Sequence, residues 1–94
     1  METDLNNTLD SISSREGVKG VVLADENGLC IGTRGIGKSE AAAFVSSIAI
    51  TARDLLEPAA EAQGRSQYPT ITVQYEHSKV IIRNEGAFTL AIFM

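Results

Sequence analysis

The sequence predicts a mixed α/β (α+β) domain: one antiparallel sheet carrying helices, with elements in the order α-β-β-α-β-β-β. Three observations lead there. Asp25-Glu26-Asn27-Gly28 joins two short β-rich runs, and Asn84-Glu85-Gly86 joins two more, so the strands fold back on themselves. A single long apolar helical segment separates these two hairpin-rich blocks. The chain has 94 residues, enough for one domain spanning 1–94 and no more.

Thr3 or Asp4 is placed to cap a first helix running to about Ser14, with Leu5, Leu9 and Ile12 at i, i+4 and i+7 as its apolar stripe. Glu16-Gly17 breaks it. Val18 to Ala24 reads as a strand, Asn27-Gly28 supplies the positive φ angles of a tight turn, and Leu29 to Thr33 returns. After the Gly35-Ile36-Gly37-Lys38 loop, Ser39 is the expected N-cap and Glu40 sits well at the positive helix end. The central helix is expected from Glu40 to Leu56 or Glu57, stopping before Pro58. Pro58 to Pro69 is the one long connection and reads as mobile. Thr70 to Tyr75, Lys79 to Arg83 and Ala87 to Phe93 read as the last three strands, with a turn at Glu76-His77-Ser78.

A chain of this size buries roughly 60–65% of its unfolded surface, which leaves little room for a deep catalytic pocket and tilts the expectation toward association. The net charge is −4 with 44% hydrophobic residues. An acidic domain with no Lys/Arg cluster and no tryptophan is a poor partner for nucleic acid or anionic membrane. Cys30 is the only cysteine, so no internal disulfide forms and a reducing, cytoplasmic compartment is expected. The start Met1-Glu2-Thr3-Asp4 has neither the basic region of a signal peptide nor a myristoylation glycine. No apolar run reaches the ~18 residues of a membrane span, so direct membrane insertion is not expected.

Gly32-Thr33-Arg34-Gly35-Ile36-Gly37-Lys38-Ser39 satisfies the phosphate-binding pattern G-x-x-x-x-G-K-S. In a true site backbone amides would cradle phosphate, Lys38 would reach its terminal oxygens and Ser39 would hold magnesium. The surroundings argue against it. The preceding strand is the second arm of a hairpin, not a member of a parallel sheet. The expected magnesium carboxylate is missing too: Asp25 lies upstream in that same hairpin, and the Val80-Ile81-Ile82 strand ends in Arg83. Gly37, Lys38 and Ser39 are therefore read as a glycine turn and a helix cap, with no cofactor. His77 stands alone in a turn, Cys30 lacks an accompanying base, and the carboxylates form no acid–base couple. Lys79 and Arg83 read as solvated strand ends. No catalytic residue and no metal ligand is assigned, and the chain is not expected to be an enzyme.

The central helix carries the functional expectation. Ala41, Phe44, Val45, Ile48, Ala49, Ala52, Leu55 and Leu56 form a broad stripe that Ala42, Ala43 and Ile50 widen further. A helix on one sheet face needs an apolar arc of about 100°. This one exceeds it, so a second face is expected to meet a partner. The strand with Ile71, Thr72, Val73, Gln74 and Tyr75 pairs by hairpin on one side and lacks the lysine or proline that guards an exposed edge. The expected interface is Ala41, Phe44, Val45, Ile48, Ala52 and Leu55 together with Ile71 to Tyr75.

Gly20-Val21-Val22-Leu23-Ala24-Asp25, the Gly28-Leu29 turn, Ile31-Gly32-Thr33-Arg34-Gly35 and the alanine-rich helix resemble the roadblock (dynein light chain 7) family, and within it the short Ragulator subunits. The likeness spans most of the chain and is densest from Gly17 to Leu55. It implies a five-stranded antiparallel sheet with the long helix on one face, and heterodimerisation with a second roadblock subunit through the long helices and third strands. It further implies a scaffold at the cytosolic face of the lysosome or vacuole that recruits Rag-type GTPases for amino-acid signalling to the TOR kinase. Larger roadblock domains add a C-terminal helix, whereas this chain ends at Met94 after its last strand. That strand alternates Phe88, Leu90 and Ile92 against Ala87, Thr89, Ala91 and Phe93, and one set is expected to need cover from an extended scaffold subunit. A homodimeric regulator of a small GTPase is the alternative reading; a nucleotide-binding protein through Gly32 to Ser39 is the second alternative.

Overall fold

A computed structural model describes residues 2–55 and 69–94. The elements are α1 (Glu2–Ser13), β1 (Gly20–Ala24), β2 (Cys30–Gly35), α2 (Ala41–Asp54), β3 (Ile71–Gln74), β4 (Lys79–Glu85) and β5 (Phe88–Phe93). The order is the one expected from sequence. The strands make one five-stranded sheet, β2-β1-β5-β4-β3, with every neighbouring pair antiparallel. β5 returns between the two hairpins and pairs with both β1 and β4, which leaves β2 and β3 as edges.

Several boundaries move, each for a local reason. Thr3 and Asp4 lie inside the first turn of α1 instead of capping it, because the helix already runs from Glu2. Ser39 does not cap α2. Its hydroxyl donates to the Glu40 carboxylate at 2.9 Å, and Glu40 takes the N-cap position with helical φ −63 and ψ −23 and no side-chain cap bond. The amides of Ala41 and Ala42 reach back three residues, to the carbonyls of Lys38 and Ser39, so a tight turn feeds the helix. The expected helix end at Leu56 or Glu57, and the expected mobile loop over 58–68, lie outside the described residues.

Asn27 does not take a positive φ; only Gly28 in that turn does, at 82°. The Asp25 carboxylate accepts the Asn27 and Leu29 amides, both at 2.9 Å, and the Gly28 amide donates to the Asp25 carbonyl. This is a three-residue hairpin loop closed by a left-handed glycine. The second turn shrinks to Gly86-Ala87, because β4 continues to Glu85 and pairs it with Phe88.

Register sorts the side chains into two layers. Val22, Ala24, Ile82 and Ala91 pack under Ala42, Val45 and Ala49 of α2. Val21 and Leu23 pack under Leu9 of α1, joined by Leu5, Ile12, Val18, Ile31 and Leu90. The pairing of Val22 with Ala91 and of Val21 with Ile92 puts Thr89, Ala91 and Phe93 on the α2 side, and Leu90 and Ile92 on the α1 side. Small residues in the α2 layer let the helix approach the sheet closely. α2 packs on β1, β5, β4 and β2, while α1 packs chiefly on β2 and β1.

Candidate partner interface

The long helix has two kinds of surface. Its buried row is Ala42, Val45, Ser46 and Ala49. At about 100° per residue, Phe44, Ile48 and Leu55 fall on a second row beside it. Their relative exposures are 70%, 39% and 78%, so this row is apolar and open. Gly28 of the first hairpin abuts Ala43 and Ser46, so that flank faces the β1–β2 turn. By helical periodicity the Phe44 row is the opposite flank. Ile71 and Val73 of edge strand β3 lie half-buried on the α2 side of the sheet.

Hydrogen-bond parity shows what the β3 edge offers. The Tyr75 amide donates to the Ser78 carbonyl at 2.7 Å, so Tyr75, and by alternation Val73 and Ile71, direct their polar backbone toward β4. Lys79 exchanges both bonds with Met94, which turns its own polar atoms toward β5 and those of Val80 toward β3. The two observations agree. Thr72 and Gln74 therefore project main-chain N–H and C=O from the open edge.

The expected interface residues divide accordingly. Phe44, Ile48 and Leu55 are exposed on α2, Ile71 and Val73 are half-buried on the α2 side of β3, and Tyr75 lies just past the strand end at 57% exposure. Thr72 and Gln74 contribute backbone at the edge and exposed side chains on the other face. Val45 is a correction: it is 4% exposed and belongs to the core under α2, so it has no surface for a partner. Ala41 and Ala52 are half-buried, with Ala41 packed on the same core. The expected list omitted Ile50 on the far flank of α2 and Leu29, Ile36 and Phe88, all of them exposed. Leu29 and Ile36 sit beside loop glycines, where no periodicity marks a side chain as outward.

The phosphate-loop residues have other tasks. Gly32 makes room for Leu9, whose Cδ1 would lie 2.6 Å from an added Cβ. Gly35 holds a left-handed φ of 59°, and the Gly37 backbone runs against the Val21 carbonyl. The Ile36 and Gly37 amides donate to the carbonyls of Lys19 and Arg34 at 3.0 and 3.1 Å, so these two donors are already used within the chain. The Glu40 carboxyl is held below its ordinary range, first by the Ser39 hydroxyl, then by its own amide, and also by the nearby Lys38 charge. Among the described residues there is no group of His, Cys, Asp or Glu able to hold a metal, and no helix is long and apolar enough to cross a membrane.

Five antiparallel strands between two helices, with an exposed apolar flank on the long helix, are the architecture of a small roadblock-type domain. Solved structures with this architecture include Myxococcus xanthus MglB (TM-score 0.79, 18% identity, 98% of this chain and 70% of that one). A roadblock/LC7 domain from Streptomyces avermitilis gives a TM-score of 0.71 at 16% identity, over 89% of this chain and 72% of that one. At these identities they establish the fold alone. The family model described as "Ragulator complex protein LAMTOR5" matches residues 1–94. A Ragulator complex protein LAMTOR5 homolog from Nematostella vectensis is 32% identical over 92 residues, covering 98% of this chain and 94% of that protein. The chain belongs to the LAMTOR5 family of Ragulator complex proteins.

Proposed function

We propose that this chain is a non-catalytic scaffold subunit that pairs with a second roadblock subunit in a Ragulator-type complex. That complex, held together by an extended scaffold subunit, recruits Rag-type GTPases for amino-acid signalling to the TOR kinase at the cytosolic face of the lysosome or vacuole. The observation that carries the pairing is the exposed apolar row of Phe44, Ile48 and Leu55 on α2, accompanied by the outward-directed Thr72 and Gln74 backbone of edge strand β3. Full burial of a phenylalanine or leucine side chain is worth about 1.5–3 kcal/mol, so this flank favours a covered state. Main-chain pairing along β3 would fix the direction and register of the partner strand. Family membership supports the Ragulator assignment.

Ile48→Asp tests the helix flank, because Ile48 lies outside the buried row. Co-expressed with a candidate roadblock subunit and sized by light scattering, the parent chain gives a 1:1 complex. The variant keeps its circular dichroism and weakens pairing by about 100-fold. Thr72→Pro tests the edge independently by removing an outward N–H. Unchanged assembly in both variants overturns the proposal. A stable dimer of the 10.0 kDa chain purified alone moves the reading to a homodimeric regulator of a small GTPase.

A further inference from the structure

The sheet has two edges, and the chain treats them differently. At β3 the register runs without a shift from Ile71 to Gln74, and the outward backbone belongs to uncharged Thr72 and Gln74. At β2 the outward positions follow from the same parity. Met94 exchanges both bonds with Lys79, so Phe93 and Ala91 turn their polar backbone the other way, toward β1. Their partners Gly20 and Val22 face β5, which leaves Val21 and Leu23 facing β2, and Arg34 and Gly32 facing back to them. The Ile36 amide, two residues past Arg34, donates to the Lys19 carbonyl at 3.0 Å and gives the same parity. Thr33 therefore directs its N–H and C=O away from β1, to the open side of the strand.

That outward carbonyl already has a partner within the chain: it accepts Arg34 Nη1 at 2.7 Å. The same guanidinium donates through Nε to Asp10 Oδ1 at 2.6 Å and through Nη2 to Asn6 Oδ1 at 3.2 Å, both on α1. One planar fork thus spans the strand edge and the helix, and the helix holds it in place. Irregular backbone lies on both sides of Thr33. Toward the first hairpin the register shifts between Leu23 and Ala24, with Ile31 as the extra residue of a bulge. Toward α2, Gly35 takes a φ of 59° and the strand ends. A bulge and a positive charge are the features that keep an edge strand from joining another sheet. β3 has neither.

We propose that Arg34, clamped between the Thr33 carbonyl and α1, closes the β2 edge, so that the sheet is extended at β3 alone and this subunit ends it on its own side. The proposal rests on the reading of β3 as the pairing edge, and adds the residue that makes pairing one-ended. A sheet with two open edges can add copies at both ends and run on as a fibre. The strand that Arg34 excludes is β2 of a second copy. Two such strands could pair antiparallel about Thr33, whose N–H and C=O would bond those of the other copy's Thr33. The guanidinium occupies that acceptor, and two copies brought together there would set their cations side by side.

The test is Arg34→Gln in the full chain, which removes the charge and leaves a side chain too short to span edge and helix. Sedimentation velocity over a concentration series is expected to show self-association at least about tenfold tighter than in the parent, the scale of one charge-assisted hydrogen bond. Amide hydrogen exchange across 30–35 is expected to slow as the variant associates. Adding Thr33→Pro removes the outward N–H while leaving the bonds to β1, and is expected to restore the parent's behaviour. Circular dichroism checks each fold; where the proline variant loses its fold, the exchange measurement decides alone. Equal self-association of Arg34→Gln and the parent overturns the proposal. So does association that survives Thr33→Pro, or that leaves exchange across 30–35 unchanged. The interface variants keep the two readings apart. Association of Arg34→Gln, together with roadblock pairing lost in Ile48→Asp and Thr72→Pro, supports both. Pairing lost in those two variants without association of Arg34→Gln removes only this inference. Association of Arg34→Gln alongside pairing that ignores both variants removes the proposed interface and leaves Arg34 closing its edge.

Discussion

The two helices of this small domain divide their apolar surface differently. α1 has a single stripe, Leu5, Leu9 and Ile12, and it is spent on its own sheet, chiefly β1 and β2; the rest of the helix is glutamate, asparagine, aspartate, serine and threonine. α2 buries Ala42, Val45 and Ala49 against its own sheet and still shows Phe44, Ile48 and Leu55 to solvent. An element that only stabilises its domain needs one apolar arc. An element with a second arc has surface left for a neighbour, and the same sheet ends in an edge strand, β3, whose Thr72 and Gln74 backbone faces away from β4.

Substitutions can break this contrast in graded steps. The largest effect is expected from Val45→Asp, which puts a charge into the α2 layer; the loss should be at least about 4 kcal/mol, comparable to the whole stability of a small domain, and thermal melts should show no folded baseline. Ile48→Asp, three residues on, should by contrast melt almost as the parent does. Leu9→Ala should cost about 2–4 kcal/mol, since Leu9 is 1% exposed and anchors α1 over Gly32. Urea unfolding measures it, and a value below about 1 kcal/mol would mean that α1 contributes little to its layer.

Smaller changes sharpen the picture at the rim. Arg34 ties α1 to β2 through Asp10 at 2.6 Å and Asn6 at 3.2 Å. Asp10 is largely exposed, so Arg34→Gln should cost no more than about 1 kcal/mol, and less in high salt; a larger, salt-insensitive loss would contradict that. The smallest effect is expected at Glu40, whose carboxyl is held low chiefly by the Ser39 hydroxyl. A carboxyl lowered in the fold favours folding above its unfolded pKa, and that contribution disappears as pH falls through its folded value. Glu40→Gln should therefore flatten the acid limb of the melting profile slightly and leave neutral pH untouched. An acid limb identical to the parent's would remove this role.

The fold was legible where the signal is local. Hairpins announced themselves at Asp25 to Gly28 and before Gly86, and the order of seven elements followed from them. Signals that depend on a neighbour misled at the margins. Ser39 has the right side chain for an N-cap but bonds the Glu40 carboxylate, and Asn27-Gly28 uses one left-handed residue where two were expected. Of the interface, the broad apolar arc of α2 was readable, yet Val45 could not be told from Phe44. Both are apolar and one position apart, and only the direction of the sheet separates them.

The sequence by itself determined which segments are helix or strand, that one helix is apolar beyond the needs of its own packing, and that the glycines after β2 need not mean a phosphate loop. Periodicity and turn chemistry are properties of a few consecutive residues, so they can be read along the chain. The tertiary structure alone decided that β5 lies between β1 and β4, and that Leu90 and Ile92 fall on the α1 side. Those facts depend on pairing between residues far apart in sequence, where a shift of one position exchanges the two faces of a strand.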